Sequence, residues 1–175
     1  NTSGNEKSPF IHSDSETLYF SSDGHTGLGG FDIFFTRKDS LDKWKEPKNI
    51  GYPINTNGDD LGFFVSTDGK LGYFASNSST KTKGKTMGGW DIYSFDLYKE
   101  ARPDNVALIK GDIKDPAGEP LQGATVEIKN TKTKEKINAL VDTITGQYAV
   151  VVNLKKKAYF TPKYFLKLSS NSLIA

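Results

Sequence analysis

A six-residue phrase occurs twice in this chain and constrains its fold more than any other feature. The first copy is Gly29-Gly30-Phe31-Asp32-Ile33-Phe34 and the second is Gly88-Gly89-Trp90-Asp91-Ile92-Tyr93. Similar apolar segments precede both copies, and among them Phe10 corresponds to Phe64, 54 positions later. The aspartates of the phrase lie 59 positions apart, so the second copy carries a five-residue insertion between its strands.

The repeat has the pattern of strands and turns, without a helical periodicity that continues over three turns. Both faces of Phe31–Phe35 and of residues 90–97 are apolar, so these strands need cover on two sides. Asp68-Gly69 predicts a hairpin turn between two strands of the second copy. A strand-only repeat of this period is typical of β-propeller blades. We therefore expect residues 1–103 to form about two blades of a larger propeller.

The pattern changes after residues 99–105, which predict a linker. Residues 1–103 have a net charge of −2, whereas residues 104–175 have a net charge of +4. Turn residues separate four short predicted strands at Val106–Ile113, Ala124–Lys129, Ile137–Val141 and Tyr148–Leu154. Two sets of alternating residues should each face a core: Ala124, Val126 and Ile128, and Tyr148, Val150, Val152 and Leu154. This pattern favours a small antiparallel β-sandwich over residues 104–175, and the whole chain is predicted to be all-β.

Composition excludes several classes of function. A formal net charge of +2 gives no support to nucleic-acid binding. Cysteine is absent, which rules out disulfides, a thiolate nucleophile and a cysteine zinc site. No stretch has the apolar length of a membrane-spanning helix. The first residues have neither a basic region nor an apolar core, so we expect the chain to be the inside of a longer protein whose signal lies upstream.

The two aspartates of the repeated phrase are the first candidates for chemistry. Asp32 and Asp91 sit between bulky strand residues, where an ionised carboxylate must accept hydrogen bonds. Because one such residue occurs in every repeat, we expect each to accept backbone N–H groups and hold its own loop. A catalytic or metal-binding role is the less favoured alternative. The glycine pairs before them are expected to be structural as well.

Other motifs give weaker indications of chemistry. His12 and His25 have no spacing that predicts a metal site or a catalytic partner. Asn55–Asp60 resembles half of a calcium loop but lacks the bidentate glutamate, so a turn is expected. Gly84–Thr86 lacks the first glycine of a phosphate loop, and Lys155–Lys157 is too short for a lipid-binding cluster. We therefore expect no catalytic residue, no metal ligand and no cofactor.

The first part of the chain resembles a known family. Leu18–His25 and the repeated phrase are similar to blades of the TolB-like propeller repeat. The connecting segments Trp44–Gly51 and Pro53–Thr56 resemble the variant of this repeat found in OmpA-family proteins of gliding, type IX-secreting bacteria.

The second part resembles the carboxypeptidase regulatory-like domain, a transthyretin-like β-sandwich, in Ile109–Asp115, Gly118–Val126 and Asp142–Tyr148. The two resemblances cover roughly residues 6 to 160. Their order is similar to that in PorE-type OmpA-family proteins of the type IX secretion system. That resemblance implies a periplasmic, outer-membrane-associated protein. It also implies as partners other subunits of a cell-envelope complex, the remaining domains of the same polypeptide and, through an OmpA-like domain that this chain lacks, peptidoglycan.

Three classes of function remain open. A non-catalytic scaffold that binds proteins agrees with the resemblance and with the missing catalytic constellation. A propeller-type hydrolase would need a Ser/His/Asp set or a carboxylate pair, and none stands out from the turn residues. A glycan-binding module would use exposed aromatic residues such as Trp44 or Tyr52 as stacking platforms. We expect the scaffold and no enzymatic activity.

Overall fold

A computed structural model describes residues 1–79, 89–121, 123–129, 134 and 136–154. These residues contain eleven β-strands and no helix, so the predicted all-β class is confirmed. The chain divides into two compact units, Asn1–Asn105 and Val106–Ala175. Within the described part, no helix has the length and apolarity needed to span a lipid bilayer.

The first unit contains two antiparallel sheets, in each of which the strands follow chain order. The first sheet consists of β1 (Glu6–Ile11), β2 (Thr17–Ser22), β3 (Asp32–Arg37) and the short β4 (Lys48–Asn49). The second sheet consists of β5 (Asp60–Val65), β6 (Leu71–Ser76) and β7 (Asp91–Asp96). Neighbouring strands pair antiparallel, and the predicted turn at Asp68-Gly69 connects β5 to β6, with Gly69 at a φ of +73°.

The sequence repeat is also a structural repeat. Strands β5 and β6 begin and end 54 positions after β1 and β2, and β7 lies 59 positions after β3. Even an irregularity recurs, because the register shifts between Lys7 and Phe10 in the first sheet and between Leu61 and Phe64 in the second. The sheets differ at one edge. In the first sheet β4 pairs with β3, whereas the described residues contain no strand that pairs with the outer edge of β7.

The two sheets of the first unit stack face to face around one apolar core. Tyr19 and Ile33, both 0% exposed, contribute from the first sheet, and Phe63 and Val65 contribute from β5. The Tyr19 and Phe63 ring centroids lie 4.8 Å apart. Burial of each large apolar side chain stabilises a fold by about 1.5–3 kcal/mol, so the contact between sheets is a principal source of stability in this unit.

The predicted linker at residues 99–105 belongs to the first unit and is not an exposed connection. Ala101 is 0% exposed and its carbonyl accepts a hydrogen bond from the Tyr19 hydroxyl, at 2.5 Å. The carbonyl groups of Glu100 and Arg102 accept hydrogen bonds from the Arg37 guanidinium. Backbone carbonyls that are bound by distant side chains of β2 and β3 order this polar segment against the first sheet.

The second unit contains two two-stranded antiparallel sheets. Strand β8 (Val106–Asp112) pairs with β11 (Gln147–Asn153), and β9 (Val126–Lys129) pairs with β10 (Lys136–Ala139). Their shared core contains Val126 and Ile128 with Ala124 packed against them, as the alternation predicts. Tyr148 and Val150 also pack on this core, but Leu154 is 38% exposed and does not continue their face.

Candidate functional site

The aspartate of the first repeated phrase holds its own loop. Asp32 is 1% exposed, and its Oδ2 accepts backbone N–H groups from Leu28 at 2.8 Å and from Gly29 at 3.2 Å. A Cβ atom at Gly27 would collide with the same carboxylate, which explains why this position is a glycine. These contacts are those expected from the sequence. Asp91 occupies the corresponding place at the start of β7, but most of the loop before it lies outside the described residues.

The Asn55–Asp60 run forms a turn, as predicted, and it has a specific role. Asp60 is 0% exposed and accepts hydrogen bonds from the backbone N–H of Thr56 at 2.7 Å and from its hydroxyl at 3.1 Å. The N–H of Gly58 donates in turn to the Thr56 hydroxyl at 3.2 Å. Asp60 Oδ2 and the Thr56 hydroxyl oxygen therefore accept hydrogen bonds from groups of the same turn.

A second turn of the same kind precedes the first sheet, and sequence reasoning missed it. Thr2 donates through its N–H and its hydroxyl to Glu6 Oε1, at 3.1 and 2.6 Å, and Gly4 N–H donates to the Thr2 hydroxyl at 3.1 Å. The repeat thus includes Asn1–Glu6, which correspond to Asn55–Asp60 at the offset of 54. The signal was present in the sequence as the shared pattern Asn-Thr-x-Gly followed by two polar residues.

A pair of side chains closes each turn, with the residue types exchanged between the copies. In the first sheet the Asn5 amide donates to Asp23 Oδ2 at 2.9 Å, and the Asn5 N–H donates to Asp23 Oδ1 at 2.6 Å. In the second sheet the Asn77 amide donates to Asp59 Oδ2 at 2.9 Å, and the Asp59 N–H donates to Asn77 Oδ1 at 2.7 Å. Either order supplies one carboxylate and one amide, so the geometry is kept.

Asn55 links the second turn to the first sheet. Its side chain is 0% exposed, its Oδ1 accepts the Ile33 N–H at 2.8 Å and its Nδ2 donates to the Ile33 carbonyl at 2.8 Å. Nδ2 also donates to Asn49 Oδ1, at 2.8 Å. The Asn55 side chain therefore occupies the place of another strand residue beside β3. The turn that precedes the second sheet therefore completes the edge of the first sheet.

A buried carboxylate that sequence reasoning missed lies in the first hairpin. Asp14 is 5% exposed and accepts hydrogen bonds from the N–H groups of Glu16, Thr17 and Asp104, at 2.8 to 2.9 Å, and from the Thr17 hydroxyl at 2.7 Å. Burial alone would raise the pKa of Asp14, but the adjacent His12 side chain and the hydrogen bonds from these donors hold it well below its usual value. The ionised Asp14 fastens the segment after β7 to the first sheet.

Both histidines have structural surroundings. The His25 ring centroid lies 5.7 Å from that of Phe20 and 5.0 Å from that of Phe34, and His25 Nδ1 lies 3.0 Å from the Ser22 hydroxyl. His12 is 2% exposed, and its Nδ1 accepts the Asp14 N–H at 3.2 Å. No group of three or more His, Cys, Asp or Glu side chains in the described part of the chain could hold a metal ion. Gly84–Thr86 and Lys155–Lys157 lie outside the described residues.

The second sheet exposes an apolar face that we call the outer face. It is the side of the sheet opposite to Phe63 and Val65 and carries the apolar residues Phe64, Leu71, Tyr73, Ala75 and Ile92 together with the exposed Ser94 and Asp96. At its inner end the Phe64 ring also contacts Phe10 of the first sheet, with 6.4 Å between the ring centroids. Ile92 is 83% exposed, Phe64 48% and Leu71 38%. The sequence predicted cover on both sides of the two long strands. That prediction is right for β3, whose first five residues are all buried, but in β7 exposed and half-buried residues alternate.

A groove of about 480 Å³ lies between β7 and the segment that follows Gly51. Its walls include five aromatic side chains, those of Tyr52, Phe74, Tyr93, Phe95 and Tyr98. Tyr52 is 80% exposed, whereas Tyr98 donates its hydroxyl to the Ile50 carbonyl at 3.0 Å, and burial raises the pKa of Tyr98. Trp44, the other aromatic candidate, is 43% exposed, with the Lys38 Nζ 5.3 Å from its ring centroid.

Comparison with protein-family models, with curated proteins and with solved structures found no match to this chain. The functional conclusion therefore depends on the contacts and exposed surfaces of the molecule itself.

Proposed function

We propose that this chain is a non-catalytic scaffold that binds other proteins through the outer face of its second sheet. The exposure of Ile92 carries this proposal, because its counterpart Ile33 is 0% exposed beneath the neighbouring sheet. The outer face combines the exposed Ile92, Leu71 and Phe64 with the polar residues Ser94 and Asp96, whereas the face of the first sheet that carries Ile33 and Tyr19 is buried. Such a surface is typical of a site that a partner covers.

The arrangement of the buried carboxylates supports a structural role. Asp14, Asp32 and Asp60 are all at most 5% exposed, and each accepts backbone N–H groups from its own turn. A general acid or nucleophile needs a carboxylate that can reach a substrate. These three carboxylates are used instead to order loops, so the hydrolase alternative has no support from them.

We further propose that the two sheets of the first unit are blades of a TolB-like propeller. The support is the repeat of strand bounds at fixed offsets together with the face-to-face stacking around Tyr19 and Phe63. For the second unit we propose a carboxypeptidase regulatory-like sandwich, supported by four antiparallel strands around one core. The order of these modules, with the motif residues of both, supports a PorE-type component of the type IX secretion system in the periplasm, associated with the outer membrane and linked to peptidoglycan through a further domain.

The proposed interaction can be tested by photo-crosslinking in the bacterium that encodes the protein. A benzophenone amino acid would replace Ile92 and, as a matched control, Ile144, which is also 83% exposed but belongs to the second unit. We expect the probe at position 92 to form adducts with other envelope proteins and the probe at position 144 to give far fewer. Equal adduct patterns at the two positions, or no adduct with another envelope protein from position 92, would contradict the scaffold function.

Glycan binding is a second candidate because of the aromatic groove and the 80% exposure of Tyr52. Flat aromatic rings beside polar groups are suited to stacking on sugar rings. If the groove binds glycan, soluble peptidoglycan fragments should shift the melting temperature of the protein saturably, and Tyr52→Ala should remove that shift. Trp44→Ala, which changes an aromatic side chain outside the groove, is the control. No saturable shift in the unmodified protein would exclude this second candidate.

A further inference from the structure

We propose that the aromatic groove between β7 and the segment after Gly51 binds the side chain of an arginine residue of a partner protein. This inference rests on the proposed scaffold function only in that the ligand belongs to a protein. The ligand is a cation, which differs in chemistry from the neutral sugar of the glycan candidate. The aromatic rings of the groove and the charge of its lining carry this assignment.

Aromatic rings form much of the groove wall. Phe74 is 4% exposed, and its ring centroid lies 5.5 Å from that of Tyr93 and 5.7 Å from that of Phe95. Tyr52 and Tyr98 are 80% and 38% exposed. The face of an aromatic ring is electronegative and attracts a cation that lies within about 6 Å of the ring centroid. A planar guanidinium group also stacks on such a face, so the exposed rings of the groove are suited to arginine.

The charge of the groove lining has one sign. Asp96 is the only charged residue among the described residues that line the groove, and the others are aromatic, apolar or hydroxyl-bearing. Asp96 is exposed, and within the described part of the chain its carboxylate makes no hydrogen bond or ion pair. A carboxylate accepts two parallel hydrogen bonds from a guanidinium group. A neutral sugar would leave this charge without a partner of opposite sign, whereas an arginine side chain supplies one.

Cations of the chain itself lie over rings outside the groove. Lys38 Nζ lies 5.3 Å from the Trp44 ring centroid, and the Arg37 guanidinium carbon lies 5.7 Å from that of Phe35. Tyr52, the most exposed ring of the groove, has no such cation among the residues that the structure describes. The described residues therefore leave this ring accessible to a cation from a partner.

The size of the groove and its acceptors favour arginine in a peptide over a small ammonium ion. The groove has a volume of about 480 Å³ and is lined by four consecutive residues of β7, 93–96, so a small ion would fill only part of it. The Tyr98 hydroxyl donates to the Ile50 carbonyl, which leaves its oxygen able to accept a hydrogen bond. A guanidinium group has five N–H donors in one plane and can donate to several acceptors while it stacks on a ring.

An NMR titration of the isotope-labelled chain with the peptide acetyl-Gly-Arg-Gly-amide tests the inference. In a second peptide citrulline replaces arginine, because citrulline has nearly the same shape but no charge. In a third peptide lysine replaces arginine. We expect the backbone amide signals of residues 93–98 to shift saturably with the arginine peptide, with a dissociation constant of roughly 1 mM. Binding should be at least about tenfold weaker for the citrulline peptide and about threefold weaker for the lysine peptide.

Two substitutions in the groove and one outside it complete the experiment. Asp96→Asn keeps the shape of the side chain and removes its charge, so it should weaken binding of the arginine peptide at least about fivefold and leave the citrulline peptide unaffected. Tyr52→Ala should weaken the arginine peptide about threefold. Asp42→Asn is the matched control, because Asp42 is 82% exposed and does not line the groove. All three residues are exposed, so unchanged melting temperatures are expected.

Three results would overturn the inference. The first is the absence of saturable shifts with the arginine peptide up to about 20 mM, well above the expected dissociation constant. The second is equal affinity for the arginine and citrulline peptides, and the third is equal weakening by Asp96→Asn and Asp42→Asn. None of them affects the crosslinking test of the scaffold function, because position 92 does not line the groove. The glycan candidate is judged separately, by the melting-temperature shift with peptidoglycan fragments.

Discussion

Asp14→Asn tests whether a buried carboxylate fastens the segment after β7 to the first sheet. One oxygen of Asp14 accepts N–H groups from Glu16 and Thr17, and the other accepts the Thr17 hydroxyl and the Asp104 N–H, at 2.7 and 2.8 Å. Asparagine keeps one oxygen and places an amide in the position of the other. The Asp104 N–H then faces a donor and loses its acceptor.

The cost follows from the loss of that acceptor. A buried N–H without an acceptor destabilises a protein by about 1–3 kcal/mol, and the rotatable Thr17 hydroxyl can accept from the new amide. We therefore expect Asp14→Asn to lower the free energy of unfolding by about 2 kcal/mol at pH 7. Asp68 occupies the same turn in the second repeat, but its side chain is 59% exposed. Asp68→Asn is the matched control and should cost less than about 0.5 kcal/mol.

Urea denaturation followed by tryptophan fluorescence measures this difference. Both tryptophans, Trp44 and Trp90, lie in the first unit, so the signal reports on the unit that contains Asp14. Because the folded-state pKa of Asp14 is lowered, the stabilisation is present above the unfolded-state pKa and is lost as pH falls towards the folded-state pKa. The difference between the unmodified protein and Asp14→Asn should therefore shrink below about pH 4. An equal difference at pH 7 and pH 3, or an equal cost for Asp68→Asn, would refute the reasoning.

Three further substitutions test the repeat architecture by the same denaturation assay. Asn55→Ala should cost about 1–3 kcal/mol because the Ile33 N–H loses its acceptor, whereas Asn57→Ala on the exposed part of that turn should cost little, and equal costs would contradict the bridging role. Gly72→Ala should cost about 1–3 kcal/mol because its Cβ would lie 2.9 Å from two aromatic rings, so an unchanged midpoint would argue against this packing. Asp32→Asn should lower stability by about 1–2 kcal/mol through weaker binding of its loop N–H groups, and a stability equal to that of the unmodified protein would exclude the loop-holding role.

Strand positions were largely predictable because they depend on short-range periodicity. Alternation of apolar residues and turn residues between them places strands without knowledge of their partners. The duplication strengthened the prediction, since a pattern that recurs at a fixed offset must satisfy the same structure twice. The predicted face of Ala124, Val126 and Ile128 is correct for the same reason. Alternation does not show which face of a strand is covered by a neighbouring sheet. The side of β7 that carries Ile92 is an example, because it is exposed.

The segment at residues 99–105 shows why long-range contacts escape sequence reasoning. Its residues are mostly polar and include a proline, which is typical of a connection between domains. Its burial depends on donors of Tyr19 and Arg37, which lie more than 60 positions earlier. Similarly, Asp14 and Asp68 occupy the same place in the repeat, and only Asp14 meets the returning chain at Asp104.

The Asn1–Glu6 turn is part of the sequence repeat, but its polar residues are common in turns and make the match hard to recognise. Asn, Thr and Gly are common in turns, so the residue types of Asn55–Asp60 predict a turn but not the groups that it binds. The match of Asn55–Asp60 to Asn1–Glu6 at the offset of 54 says more about the structure than the residue types do. It identifies hydrogen bonds that recur, whereas turn propensity only indicates that the chain bends.

The bridge from Asn55 to Ile33 has a consequence for anyone who excises or transplants one of these modules. The side chain that binds the edge of β3 belongs to a residue that follows the last strand of the first sheet. The segment that forms this sheet is therefore shorter than the segment that stabilises it. A single-module gene trimmed at Asn49, the last residue of β4, would discard that fastening, whereas one extended through Thr56 would retain it.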